Sequence, residues 1–391
     1  MRERPAGSGR WQLRAYVGPD PTTGRPIQVA KSFSGGERAA AKELAKMVAD
    51  IEAGRFDASR ATVSDLLDRW LEQITPTRSP LTVVEYRRKI EGRIRPALGD
   101  TRLSKLGADT LDAWYGKWQA SGLSDSTVHH LHSILSAALT QAEKWGWIYS
   151  SPARRASPPA QRSPVFVIPT PEQLIELVRT AQEIDPVLGT AVALAALTGA
   201  RRGELCALRW SDVDLERGTI RIARSLGIVD GVIHEGPTKT HANRDVALDD
   251  LGIEVLRDRW AYMQDLSRRA ESPLVADPFV LSYDAHGGNP TDPNVITRRF
   301  GALCRKLESQ ARTKAKKAGR DLKADERWPF RFHDLRHFSV TILIGAGVDV
   351  RTVAERHGHA QATMTLNRYA HALPERDREA AGVLGRALTP D

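Results

Sequence analysis

Residues 187–209 read Val-Leu-Gly-Thr-Ala-Val-Ala-Leu-Ala-Ala-Leu-Thr-Gly-Ala-Arg-Arg-Gly-Glu-Leu-Cys-Ala-Leu-Arg. The segment from Val187 to Leu197 is the longest apolar run in the chain. It is too short to cross a bilayer and reads as a helix buried in a core. Thr198-Gly199-Ala200 then lets the chain turn and aim a side chain outward, and Arg201 and Arg202 follow at once. Spacing alone does not choose between these two arginines. A short helix over 203–209 comes next, with Glu204 reading as a carboxylate at its N-terminus and Cys206 as packing on its buried face.

Around this turn the pattern is mixed. Helical periodicity covers 172–182, strands are expected near 218–223 and 228–233, and Asp230-Gly231 supplies a hairpin turn. Arg244 to Leu248 reads as a further strand, which puts Lys239 and Thr240 on or beside a β-hairpin. Helices fill the remainder. His333 and Arg336 stand three residues apart near a helix start and so project to one side, while Leu335, Phe338 and Ile342 are expected to bury the other. Gly358 reads as a left-handed residue ending a helix immediately before His359. Between Arg305 and Arg331, ten basic residues face four acidic ones, so this excursion is either a helix extension or loop near a polyanion, or a solvated insertion.

Arg201, Lys239, His333, Arg336, His359 and Tyr369 make chemical sense together only around a phosphodiester. Two guanidiniums clamp the non-bridging oxygens and stabilise the charge that grows in a phosphorane-like transition state. A lysine and two histidines move protons, and a tyrosine attacks phosphorus and holds it covalently. A phenol with an ordinary pKa near ~10 needs such a positive pocket to attack at neutral pH.

The order Arg, Lys, His-x-x-Arg, His, Tyr resembles the tyrosine recombinase (phage-type integrase) family. The resemblance selects Arg201 over Arg202, which is left as a structural or phosphate contact, and makes Glu204 the partner that orients Arg201. It implies that Lys239 protonates the departing 5′ oxygen, Arg336 is the second clamp, His333 a proton-transfer partner and His359 a donor to a phosphate oxygen. Tyr369 is then the nucleophile. His357 departs from the family, where a leucine is usual before the glycine, and this loosens the choice of His359.

Composition fits such a reading. The chain has 391 residues, 41% hydrophobic and 27% charged, enough for two or three soluble domains rather than a disordered chain. A net charge of +9 and a pI near 9.6 favour a polyanionic partner. Two cysteines, Cys206 and Cys304, imply no disulfide framework, and the polar Met-Arg-Glu-Arg-Pro start is no signal peptide, so a cytoplasmic, nucleoid-associated protein without a membrane anchor is expected.

The N-terminal half divides by pattern. Residues 1–57 alternate as strands over 10–17 and 27–33, with a short edge strand at 2–4, and continue in a helix with Leu44, Met47, Val48 and Ile51 on one stripe. Arg14 and Lys31 sit on the strand faces, and this small β-sheet plus helix resembles the arm-type DNA-binding domain of many integrases, with an interaction-only module as the alternative. Residues 61–150 read as all-helical: a first helix capped by Ser64, a basic second helix near 80–94 with Arg87, Arg88, Lys89 and Arg93, and two more near 109–120 and 125–144. They resemble the helical, SAM-like core-binding domain, and the basic side chains are DNA-contact candidates. Proline-rich 151–164 is expected as a linker, and 165–391 as a mixed α+β catalytic domain. The fold class is thus multidomain and mainly α with small β-sheets.

The function expected is a site-specific recombinase that cleaves and rejoins double-stranded DNA at attachment sites, integrating or excising a mobile element, without metal, ATP or other cofactor. The histidine-rich segments carry no cysteine or carboxylate set with ligand spacing. The resemblance implies a homotetramer on DNA that exchanges strands pairwise through a Holliday junction, together with an accessory DNA-bending or directionality protein. The helix over 375–388 packs either at home or on a neighbouring subunit. The rivals are a type IB topoisomerase-like nicking and resealing enzyme, and a DNA-binding regulator that keeps the fold without catalysis.

Overall fold

The computed structural model describes residues 1–19, 26–52, 61–161, 167–229, 231–238 and 243–358. Lys239, Thr240, His359, Tyr369 and the helix expected over 375–388 lie outside the described residues. The chain divides into two compact units, Met1–Arg162 and Ser163–Asp391.

The first unit opens with an antiparallel sheet of β1 (Arg2–Glu3), β2 (Arg10–Pro19) and β3 (Pro26–Ser34), in which Leu13 faces Lys31 across the pair. Helix α1 (Glu37–Glu52) covers one face, burying Leu13, Ala15, Ala40 and Met47. Val48 is 37% exposed rather than part of the inward stripe. Leu44, Met47 and Ile51 already fill the face toward the sheet, and a residue one step beyond Met47 is rotated off it.

A helical bundle follows. Helix α2 (Val63–Ile74) is capped by Thr62, not by Ser64: the Thr62 hydroxyl accepts from Asp65 N, and the Asp65 carboxylate accepts from Thr62 N at 2.8 Å. Ser64 sits inside the first turn because this reciprocal box fixes the start two residues earlier. Helix α3 (Pro80–Lys89) does not stop near 94; a π-turn at Ile90–Ile94 carries it into α4 (Arg95–Leu98). Pro96 lacks an N–H for the turn before it, and the wider winding, with Arg95 N donating to Ile90 O, accommodates that loss. Helices α5 (Ala108–Ala120) and α6 (Asp125–Lys144) complete a core built on Leu66, Trp70, Ile94, Tyr115, Leu131 and Leu135.

The proline-rich segment begins as part of this bundle instead of a free linker. Ser151 and Ala153 are buried, Arg154 pairs with Glu143 at 2.9 Å, and Ser157 N donates to the Asp112 carboxylate at 2.7 Å. Prolines exclude regular structure but not irregular packing, provided the remaining N–H groups find acceptors.

In the second unit α7 (Pro171–Ile184) and α8 (Pro186–Thr198) form a pair, and α8 is buried almost throughout. Asp185 caps α8 by accepting Leu188 N at 3.1 Å, and Gly199 ends it in the left-handed conformation with φ +62°. After the short α9 (Arg202–Cys206), β4 (Val213–Asp214), β5 (Thr219–Ile222) and β8 (Arg244–Ala247) make one antiparallel sheet. A separate hairpin pairs β6 (Arg224–Val229) with β7 (Val232–Pro237). The expected strand over 228–233 therefore straddles a turn, since Gly231 at φ +82° reverses the chain there, and β5 pairs with β8 rather than with the hairpin. Helices α10 (Asp250–Arg269), α11 (Pro293–Lys317), α12 (Asp334–Gly345) and α13 (Val350–His357) close the described part. The basic excursion after Arg305 begins as helix, with α11 running to Lys317.

Candidate active site

The C-terminal end of α8 delivers Arg201 to the N-cap of α9. Glu204, one turn on, accepts Arg201 N at 2.9 Å through one oxygen and Arg201 Nη1 at 2.8 Å through the other. Arg244, the first residue of β8, approaches the same carboxylate with Nη2 at 2.6 Å and Nη1 at 3.3 Å. Burial pushes the Glu204 carboxyl up, but the hydrogen bond and charge of Arg244, with Arg201 behind them, outweigh it and hold the group below its ordinary value. Glu204 is therefore a buried anion shared by two guanidiniums.

The second feature is the end of α13, where Gly358 at φ +62° terminates the helix. Its last carbonyls lack intrahelical partners and carry the negative end of the helix dipole. Three arginines from three elements take three successive carbonyls. Arg244 Nε donates to Arg356 O at 2.9 Å, Arg336 Nη2 to His357 O at 2.5 Å, and Arg201 Nη2 to Gly358 O at 2.9 Å. Arg336, only 3% exposed on α12, also donates through Nη1 to Gly199 O. The two expected clamp arginines and Glu204 are thus gathered at one helix terminus, next in sequence to His359.

His357 is fully buried beneath this turn. Its Nδ1 lies 2.8 Å from Val353 O, which can only accept, so Nδ1 carries the proton; Nε2 lies 3.2 Å from the Ser339 hydroxyl. A Cβ on Gly199 would meet the His357 ring at 2.2 Å. The residue that departs from the family pattern is therefore a packed core histidine set against a glycine that leaves room for it.

His333 occupies the N-cap of α12, exposed, with its ring perpendicular to that of His337 at 5.1 Å. On α12 the buried residues include Leu335, Arg336, His337, Val340 and Ile344, while Phe338 is half-buried and Ile342 is 45% exposed. The expected burial of Ile342 fails because Arg336 turns inward to the α8 and α13 termini, and Ile342, six residues further on, lies on a different face of the helix. Asp334 is buried and pairs with Arg331 Nη2 at 2.9 Å. Arg202 turns away from the arginine cluster and bonds the Thr297 hydroxyl on α11. Cys206 and Cys304 are buried, and burial pushes each thiol up to about 12, so neither is a nucleophile near neutral pH.

The candidate DNA contacts fall into two kinds. Arg87 and Arg93 are exposed with no carboxylate within ion-pair distance among the described residues. Arg88 and Lys89 share Glu85 at 2.8 and 3.0 Å, and Lys31 pairs with Glu43 at 2.6 Å. Arg14 is exposed beside Gln12, at 3.3 Å. Among the described residues no group of three His, Cys, Asp or Glu is placed to hold a metal, and no helix is long and apolar enough to cross a membrane.

Sequence reasoning missed Arg244. Its signal was phase: in Arg244-Asp245-Val246-Ala247, Arg244 shares the inward side with buried Val246. A charged residue in phase with the core needs a buried counter-charge, and Glu204 is that group.

The arginines thus converge on one helix end in the second unit, which follows the helical bundle in the chain. The phage integrase family model matches residues 170–376, and the phage integrase N-terminal SAM-like domain matches 62–119. The chain belongs to the phage integrase family and is a tyrosine-type site-specific recombinase. It is 27% identical to a putative prophage phiRv2 integrase of Mycobacterium tuberculosis, over 98% of this chain and 95% of that one. It is 24% identical to the ICEBs1 integrase of Bacillus subtilis, over 97% and 98% of the two chains. The fold is shared with the Tn1549 transposon integrase in complex with transposon right end DNA, at a TM-score of 0.67 and 21% identity over 83% of this chain and 100% of that one. It is shared also with a lambda integrase tetramer bound to a Holliday junction, at a TM-score of 0.55 and 19% identity over 91% and 95%.

Proposed function

We propose that Tyr369 attacks the scissile phosphodiester, forming a 3′-phosphotyrosyl bond as the P–O bond to the 5′ oxygen breaks. Arg201 and Arg336 hold the non-bridging oxygens, Lys239 gives the leaving 5′ oxygen its proton, His359 hydrogen-bonds a phosphate oxygen and His333 assists proton transfer. A 5′-hydroxyl from the partner strand then attacks the phosphotyrosine, releasing the phenol. The bond energy stays in the covalent link, so the cycle needs neither nucleotide nor divalent ion.

The observation that carries this reading is the convergence of Arg201 and Arg336 on the adjoining carbonyls of Gly358 and His357. Both guanidiniums are oriented before substrate arrives, which is the condition for electrostatic stabilisation without reorganisation. The substrate is double-stranded DNA at paired attachment sites of a mobile element, and four protomers act on a Holliday junction, as the lambda assembly suggests. An accessory DNA-bending or directionality protein sets the direction. The protein works in the cytoplasm on the nucleoid. Residues 1–57 bind arm-type DNA, 61–150 embrace the core site, 151–164 connect the two halves with their first residues packed on the bundle, and 165–391 carry the chemistry.

The test is covalent capture. DNA retained on the protein after denaturing purification from its host is sequenced, and nicked substrates are built from the recovered sites. The wild type traps a covalent adduct, whereas Tyr369→Phe binds the same DNA and traps none. A normal adduct yield from that variant removes Tyr369 as nucleophile; no adduct from the wild type favours a regulator that keeps the fold without catalysis.

A further inference from the structure

The clamp arginines are held by groups that do no chemistry, and one side chain joins those groups together. Arg244 is 8% exposed at its side chain and uses all three guanidinium nitrogens: Nη1 and Nη2 on the Glu204 carboxylate, Nε on Arg356 O. Glu204 in turn bonds both the backbone N–H and the guanidinium of Arg201, and Arg201 reaches the carbonyl of Gly358, two residues beyond Arg356. These contacts close a ring through α9, β8 and the end of α13. At Gly358 a Cβ would stand 2.9 Å from Arg244 Nη1, so the turn lies directly against this guanidinium.

We propose that Arg244 is a positioning residue for strand cleavage: it locks Glu204 to the α13 terminus and so aims the Arg201 guanidinium at the scissile phosphate. The inference rests on the phosphate-clamp role proposed for Arg201. Only a planar group with donors on three sides spans the carboxylate and the carbonyl together. Lysine at this position keeps the charge but has one nitrogen, which satisfies one of the two partners. Without Arg244, Glu204 retains Arg201 as its only cationic partner among the described residues and draws that guanidinium toward itself.

The experiment is a double-mutant cycle on single-turnover cleavage by the full chain, with Arg244→Ala and Arg244→Lys each made alone and with Arg201→Ala. Arg244→Ala is expected to slow cleavage by roughly 10- to 100-fold with DNA affinity unchanged, and Arg244→Lys by less, below the loss from removing a clamp donor outright. In the Arg201→Ala background the Arg244 substitutions are expected to add less than about threefold, because a positioning residue has nothing left to position. A scissile methylphosphonate, with one charged oxygen replaced by methyl, is expected to shrink the Arg244→Ala defect in the same way. Equal losses in both backgrounds and on both substrates mean that Arg244 acts apart from Arg201, and the inference falls. If Arg244→Ala does not fold, the lysine variant is read through the same cycle. Normal cleavage by Arg201→Ala alone overturns the clamp assignment itself, a result distinct from additivity at Arg244.

Discussion

Replacing Glu204 with glutamine tests the anionic hub directly. Glu204 is 2% exposed, and among the described residues its carboxylate accepts four hydrogen bonds, two from Arg201 and two from Arg244. Glutamine has one acceptor oxygen, and its amide nitrogen would face guanidinium donors. About two charge-assisted bonds are lost, at roughly 1.5–3 kcal/mol each. Arg201, with its side chain 22% exposed, recovers part of this from water, whereas Arg244 at 8% does not. The expected net loss is about 3 kcal/mol, the low end of what breaking a buried ion pair costs. For a unit of this size that lowers Tm by roughly 6–12 °C. The pH dependence has a definite sign. Glu204 is depressed in the folded state, so its contribution is full above the unfolded carboxyl value of about 4.3 and is lost as pH falls through the lower folded value. The Tm gap between wild type and Glu204→Gln should therefore be constant from neutral pH down to about 5 and close progressively below about 4. Single-turnover cleavage at neutral pH should fall by about 100-fold as Arg201 loses its orientation. A variant that melts with the wild type, or a gap that ignores pH, refutes the hub; normal cleavage refutes its link to Arg201.

Gly199→Ala should destabilise by more than about 2 kcal/mol, since a left-handed backbone and a collision with His357 act together. Thermal melts of Gly199→Ala with and without His357→Ala separate the two, the double variant regaining only the collision part. Cleavage should persist in EDTA without nucleotide; loss restored by a divalent ion would point to a metal-dependent nuclease. Deleting residues 1–57 should spare cleavage of a core site, impair full recombination and flatten the plot of log affinity against log salt. Equal salt slopes with unimpaired recombination would favour an interaction-only module for that segment.

Local patterns were legible wherever a short-range cause acts alone. The apolar run at Val187–Leu197 sets α8, period-two alternation sets β2, and Gly358 ends α13, each by a residue property acting over a few positions. Errors arose where a distant or competing partner decided. Ser64 was a sound cap by type, yet Asp65 completes a box with Thr62. The 151–157 segment reads as a spacer until Glu143 and Asp112 supply acceptors for its N–H groups.

The sequence by itself carried the motifs of the family and their order along the chain, and through that resemblance the expectation that Glu204 orients Arg201, because a motif is a property of the chain. Tertiary structure alone decided that Arg202 points to Thr297, that His357 is core, and that Arg244 joins Glu204 to the end of α13. Those outcomes depend on which buried charges and orphaned carbonyls meet when separate elements pack. A buried carboxylate or a helix terminus must find its partner in space, and nothing in local sequence records how far along the chain that partner lies.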